Sequence, residues 1–426
     1  MNELIKPLFL AVAVSLAACG GGDPAPSPTR AVEAFETPVE TGTPYPAEVV
    51  HRTVLGVLVS TPSRRNQRSV DELHRMLFAS EAPSLRSFYR LASGGRLNVT
   101  NRALLPPDAP VAGEVIEVTI PEPSGLDCST DTWAAAAKAE AIKHGHDPSG
   151  YGTTFYITPR VTGCSNGVGT VGAIGKANHG MRVVYFDKSD TPDTSPLTLR
   201  TLVHEMGHNL GLGHARTVTC LDAADRRVSM SDRCTEDAQG DPTDAMGSTG
   251  RVSHPGPKPG NDYSPMDTNP RLFAASRAHD LGWLAPDEVL TVSGPGTFRL
   301  RPLYCAMANG APRALRLAST TPGRDYWLET RVPCGGPYDN FRNGSTHHTV
   351  PETTVHGLLI RQATAGPGPS ASTWLLDLHP GTTNASSGFV DAALSLGEVF
   401  DDPLPGGQRF EVTAVEPDGT IHVRLW

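Results

Sequence analysis

His204-Glu205-Met206-Gly207-His208-Asn209-Leu210-Gly211-Leu212-Gly213-His214 decides how this chain is read. His204 and His208 stand four apart, so on a helix they share one face and both imidazoles can reach one ion. Glu205 points about 100° further round the helix, beside the metal without having to bind it. Gly211 takes positive φ at little cost, which lets the helix stop and swing His214 back as a third ligand. Three neutral nitrogen ligands leave zinc an open fourth position, the arrangement of a catalytic site rather than a closed structural one.

The surrounding residues suit a rigid support. Ser195-Pro196 reads as N-cap and first helical residue, and Leu199, Leu202, Val203, Met206 and Leu210 form an apolar stripe. A buried amphipathic helix with incidental histidines is the competing reading. It accounts poorly for two histidines and a glutamate, which need partners when buried.

The pattern from His204 to His214 resembles the metzincin signature of zinc endopeptidases. The resemblance implies a downstream "Met-turn" that seats a methionine beneath the metal. Gly240-Asp241-Pro242-Thr243-Asp244-Ala245-Met246-Gly247-Ser248 has that composition and is similar to the version in gametolysin-like peptidases. Met266, in Ser264-Pro265-Met266-Asp267, is the competing candidate; the Gly and Asp residues around Met246 favour it. Looser matches are Ser87 to Leu97 upstream and Asp280-Leu281-Gly282-Trp283-Leu284 downstream, so the likeness covers roughly residues 50 to 285. It implies an α/β (α+β) catalytic domain with a mixed, mostly parallel twisted sheet and an active-site helix. An antiparallel strand bordering the cleft is implied as well, expected in the Gly172 to Phe186 region. Two features depart from the family. Ala215 follows the third histidine and indicates none of the commonest subfamilies, and Ser248 and Thr249 stand where some relatives carry a tyrosine.

Composition narrows the partners. A formal net charge of −9, with no basic cluster interleaved with aromatics, argues against nucleic acid or an anionic membrane surface. With 43 glycines and 38 prolines in 426 residues, the chain reads as loop-rich and exported, long enough for two full cores, and is expected to act as a monomer. At the N-terminus, Lys6 precedes an apolar run from Leu8 to Ala18 that is too short for an ordinary transmembrane helix. Leu16-Ala17-Ala18-Cys19-Gly20 then resembles the bacterial lipoprotein box, implying lipidation at Cys19 and an outer-membrane or surface address. An ordinary cleaved signal is the alternative. Residues 1–19 are thus the signal, and 20–47, rich in Pro, Gly, Ala, Ser and Thr, a flexible tether.

Setting Cys19 aside leaves Cys128, Cys164, Cys220, Cys234, Cys305 and Cys334. An even number in an exported chain suggests disulfides, and proximity favours 128–164, 220–234 and 305–334 among the pairings. Zinc binding by these cysteines is the rival, unsupported by any CxxC spacing.

Residues 48–285 alternate helical and strand patterns, with strands expected at 54–59, 96–104, 153–157 and 181–186 and helices at 70–78, 84–92 and 132–144. The stretch from Arg216 to Gly240 reads as a polar loop; calcium at its aspartates is conceivable, but no ordered calcium-loop motif is present. Residues 286–426 carry short alternating runs between Gly/Pro turns, the pattern of an all-β sandwich-like domain without a catalytic constellation. The expectation is a zinc endopeptidase acting on protein or peptide, with His204, His208 and His214 as ligands and Glu205 as general base. A surface-binding lipoprotein and a zinc amidase on cell-wall peptides are the rivals.

Overall fold

A computed structural model describes residues 49–426 apart from 81–82, 101–113, 124–127, 162–163, 165–166, 175–177, 188–196, 248–269, 306–309, 333–337, 339–356, 365–370, 382–388 and 390. Cys19, the tether, Ser195, Pro196, Ser248, Thr249, Met266 and Cys334 therefore lie outside the described residues.

The first half runs β1 (Val50–Ser60), α1 (Val70–Phe78), α2 (Leu85–Ala92), β2 (Leu97–Thr100), β3 (Val115–Thr119), α3 (Thr130–Lys143), β4 (Thr153–Thr158), β5 (Gly167–Gly169) and β6 (Met181–Phe186). The sheet order is β2-β1-β4-β6-β5, with β3 also pairing β1. Every pairing is parallel except β5 on β6. In β1 the residues alternate between two cores. Val54 and Leu58 pack with Leu73, Leu77, Phe88 and the helix that carries His204 and His208, whereas Leu55, Val57 and Val59 pack with Trp133 and Ala137 of α3. A strand covered by helices on both faces explains its nearly unbroken apolar run.

The antiparallel strand falls elsewhere than expected. Residues 181–186 form a parallel strand, and the antiparallel edge strand is β5, just before the expected 172–186 window. Its glycine-rich stretch lacks the apolar alternation by which strands are recognised.

The chain continues through α4 (Leu199–Asn209), β7 (Leu212–Leu221), β8 (Arg227–Val228), β9 (Cys234–Asp237) and α5 (Ala275–Asp280). After these come β10 (Val289–Thr291), β11 (Gly296–Leu300), β12 (Ala314–Ala318), β13 (Arg324–Thr330), β14 (Leu358–Thr364), β15 (Ala371–Leu376), β16 (Val399–Asp401), β17 (Arg409–Val415) and β18 (Ile421–Leu425). Strands β11, β18, β17 and β16 make a four-stranded antiparallel sheet. It packs Phe410, Val412, Ile421 and Val423 onto Leu315, Leu328, Ile360 and Leu376 of an eight-stranded sheet.

That larger sheet crosses residue 285. Its order is β10-β12-β13-β14-β15-β7-β8, with β9 also on β7. Strand β15 runs parallel to β7, with Thr373 opposite Ala215 and Leu375 opposite Thr217. The polar stretch from Arg216 to Gly240 is therefore about half β-structure rather than all loop, because partners on both edges, β15 and β9, take up the backbone of β7. Cys128 is bonded to Cys164 and Cys220 to Cys234, the pairings that proximity favours. Cys305 is also disulfide-bonded.

Candidate metal centre

Helix α4 begins at Leu199, later than expected, with Thr198 as N-cap; its Oγ1 accepts from the Thr201 amide at 3.2 Å. Leu199, Leu202, Val203, Met206 and Leu210 are all buried, so the apolar stripe fixes the helix by packing. Asn209 locks its C-terminal end: the side chain donates to Thr170 O at 2.8 Å and accepts from Thr153 Oγ1 at 3.0 Å. The helix stops at Gly211, whose φ is +95°. A Cβ there would stand 2.4 Å from the Ile174 amide nitrogen, so both conformation and space require glycine.

The turn delivers His214 on β7, and one ligand nitrogen from each of His204, His208 and His214 falls within 4.8 Å of the others. Among the described residues these three are the cluster close enough to share an ion. Their ring centroids are 4.9–5.3 Å apart. His204 Nδ1 lies 3.0 Å from Ala245 O, and His208 Nδ1 2.8 Å from Leu212 O. A carbonyl only accepts, so both Nδ1 atoms carry the proton and both Nε2 atoms keep a lone pair for an electrophile. At His214, Nε2 sits 3.3 Å from the Gln239 side-chain nitrogen; an ion bound at Nε2 would displace that amide. Burial is the main cause holding the His204 imidazole well below its ordinary pKa, His208 at about 4 and His214 at about 3. All three rings are thus neutral near pH 7, the protonation state that metal binding needs.

Glu205 is 2% exposed, and its Oε1 has no hydrogen-bond partner among the described residues. Burial pushes its carboxyl up to about 7, against opposing contributions from the Gly169 amide and the Arg200 charge. An unpartnered buried carboxylate oxygen beside three lone pairs is costly in a purely structural site, and it fits one that receives water and an ion. Strand β5 closes over this carboxylate. A Cβ at Gly169 would meet Glu205 O at 2.6 Å, and one at Gly167 would meet the Tyr185 ring at 2.9 Å and Glu205 Oε1 at 3.4 Å. Alternating glycines strip one strand face so that its backbone can approach the helix.

Met246 is fully buried. A Cβ at Gly207 would lie 2.3 Å from its sulfur, so the glycine between Met206 and His208 makes room for the methionine under the helix. The turn is built by Asp244, whose Oδ1 accepts from the Met246 amide at 2.7 Å. It clasps the residue after the third histidine from both sides: the Ala215 amide donates to Met246 O at 2.9 Å, and the Asp241 amide to Ala215 O at 3.3 Å. Ala215 is fully buried in that clasp, which is why a small residue stands there.

Sequence reasoning missed Gly167, Gly169, Gly207, Asn209 and the aspartates' partners. The Gly-x-Gly spacing at 167–169 was a readable sign of close backbone approach. The others depend on contacts made across the fold.

No family model matches this chain, and no curated protein matches it. Among solved structures, it overlaps crystal structures of wild type OgpA from Akkermansia muciniphila in two crystal forms. The first is 14% identical with a TM-score of 0.30, covering 79% of this chain and 96% of that one. For the second form the values are 14%, 0.29, 81% and 96%. Catalytic inactive OgpA in complex with an O-glycopeptide (glycodrosocin) substrate gives 12%, 0.28, 80% and 96%. Overlaps this loose transfer no role to the residues of this chain.

Proposed function

We propose that the chain is a zinc-dependent endopeptidase of metzincin type, cleaving extracellular proteins or peptides. The observation that carries this reading is the trio of neutral imidazoles next to a buried carboxylate whose Oε1 has no partner among the described residues. His204, His208 and His214 would hold the ion; zinc in such a site polarises a scissile carbonyl and acidifies water. Glu205 accepts a proton from the attacking water and passes it to the departing amine. A carboxyl whose affinity for protons is raised by burial toward neutrality suits both transfers. Met246 shapes the floor and moves no proton. Strand β5 ends its sheet and would take an extended substrate backbone by strand addition, as the metzincin resemblance implies. The N-terminal reading adds export, a lipid on Cys19 and the 20–47 tether, giving a monomeric enzyme held at the cell surface.

The test is cleavage of casein by the purified full chain, with products sequenced. Cleavage is expected, abolished by a chelator and restored by zinc. Cleavage that persists in chelator would remove the metal from the reaction.

A further inference from the structure

The polar partners that orient the first two imidazoles are backbone carbonyls: Ala245 O for His204 and Leu212 O for His208. A carbonyl is only as fixed as the peptides around it. The neighbours of both are held by one side chain, Arg277 of α5. Its Nη1 donates to Gly213 O at 2.8 Å, between Leu212 and His214. Its Nε lies 3.3 Å from Asp244 Oδ2, next to Ala245, a charge contact rather than an aligned hydrogen bond. Asp244 accepts from the Met246 and Ala274 amides, at 2.7 and 2.6 Å. The remaining nitrogen, Nη2, reaches Thr373 Oγ1 on β15 at 3.3 Å.

Arg277 belongs to a larger buried cluster. Arg361 on β14 pairs with Asp241 at 2.9 Å and with Glu329 at 2.7 Å. Arg331 pairs with Glu329 at 2.9 Å and donates to Thr243 O and Leu272 O, at 2.7 and 2.9 Å. Three carboxylates face three guanidiniums, and none is more than 1% exposed by side chain. Apolar side chains often replace such clusters with no loss of stability, so stability alone is a weak reason for six buried charges. A planar guanidinium supplies what apolar contacts do not, namely fixed directions toward several acceptors at once.

We propose that Arg277 is a positioning residue for the metal centre. Through Gly213 and Asp244 it sets the carbonyls that aim His204 and His208 and the backbone that delivers His214. Arg361 and Thr373 tie this clamp to the strands after residue 285, which gives the C-terminal sheet a part in metal binding. The inference rests on the metal reading of the three histidines and not on the peptidase reading.

The test compares full-length wild type with Arg277→Lys, which keeps the charge but loses the planar fork, and with Asp244→Asn/Arg277→Met, which leaves no bare charge. Zinc affinity is measured by competition with a chelator of known affinity, and zinc-free stability by thermal unfolding. Both variants are expected to bind zinc about 10- to 100-fold more weakly, beyond any loss in zinc-free stability. Zinc affinity within about threefold of wild type, in either variant that folds, overturns the proposal even if unfolding comes earlier, because Arg277 is then only structural. A wild type that takes up no zinc overturns the metal reading and this inference together. A wild type that binds zinc but cleaves nothing removes the peptidase reading alone.

Discussion

Glu205→Gln is expected to lower kcat by about 100- to 10,000-fold, the usual contribution of a positioned general acid–base. Glutamine has the same shape, so the fold and the three histidines stay in place, but it cannot hold a transferable proton. Steady-state peptide hydrolysis alongside zinc content separates the two effects: zinc should remain while turnover falls. The zinc-free protein gives a second reading of the same residue. Burial raises this carboxyl from 4.5 to about 7, so the unfolded chain ionises first as pH rises. The carboxylate therefore penalises folding increasingly between those two values and by a constant amount above them, about 3 kcal/mol at most. Zinc-free Glu205→Gln should accordingly unfold later than wild type at pH 8 and show no such gain at pH 4. A variant that loses stability while keeping turnover would assign Glu205 to the core and not to the chemistry.

Gly211→Ala is expected to destabilise the fold strongly and to disturb the metal centre with it. Two penalties act together at this residue. A φ of +95° strains any side chain, and the new carbon would lie 2.4 Å from the Ile174 nitrogen and 2.6 Å from its Cα. Strain and overpacking each run to about 1–3 kcal/mol, so the sum is roughly 2–6 kcal/mol. The backbone can avoid it only by moving the turn, and that carries His214 away from His204 and His208. Denaturant unfolding and zinc affinity should both fall. Unchanged values would mean that the helix does not end as described.

The site was largely legible because its parts are local. His204, Glu205 and His208 take their geometry from one helix, and Gly211 is a glycine where a turn requires it. The Asp/Gly run around Met246 announces a turn for the same reason. What escaped the sequence depends on pairing across long distances. The start of the Arg216 to Gly240 stretch looked like a polar loop because one of the two partners of β7, β15, lies far along the chain. Arginine is a residue type found mostly at the surface, so nothing local announces that Arg277, Arg331 and Arg361 are buried with Asp241, Asp244 and Glu329. The helix starts at Leu199 and not at Pro196, because Thr198 Oγ1 accepts from the Thr201 amide and caps it there. The all-β character of residues 286–426 was legible in their short alternating runs, but not that their largest sheet continues into the strand bearing the third histidine.

The most direct measurement is calorimetric titration of the chelator-stripped full chain with zinc, run beside His208→Ala. One zinc per chain is expected in the wild type, with binding greatly weakened in the variant, because one of three protein ligands is gone. No saturable uptake by the wild type, or identical uptake by the two proteins, would contradict a centre built from His204, His208 and His214.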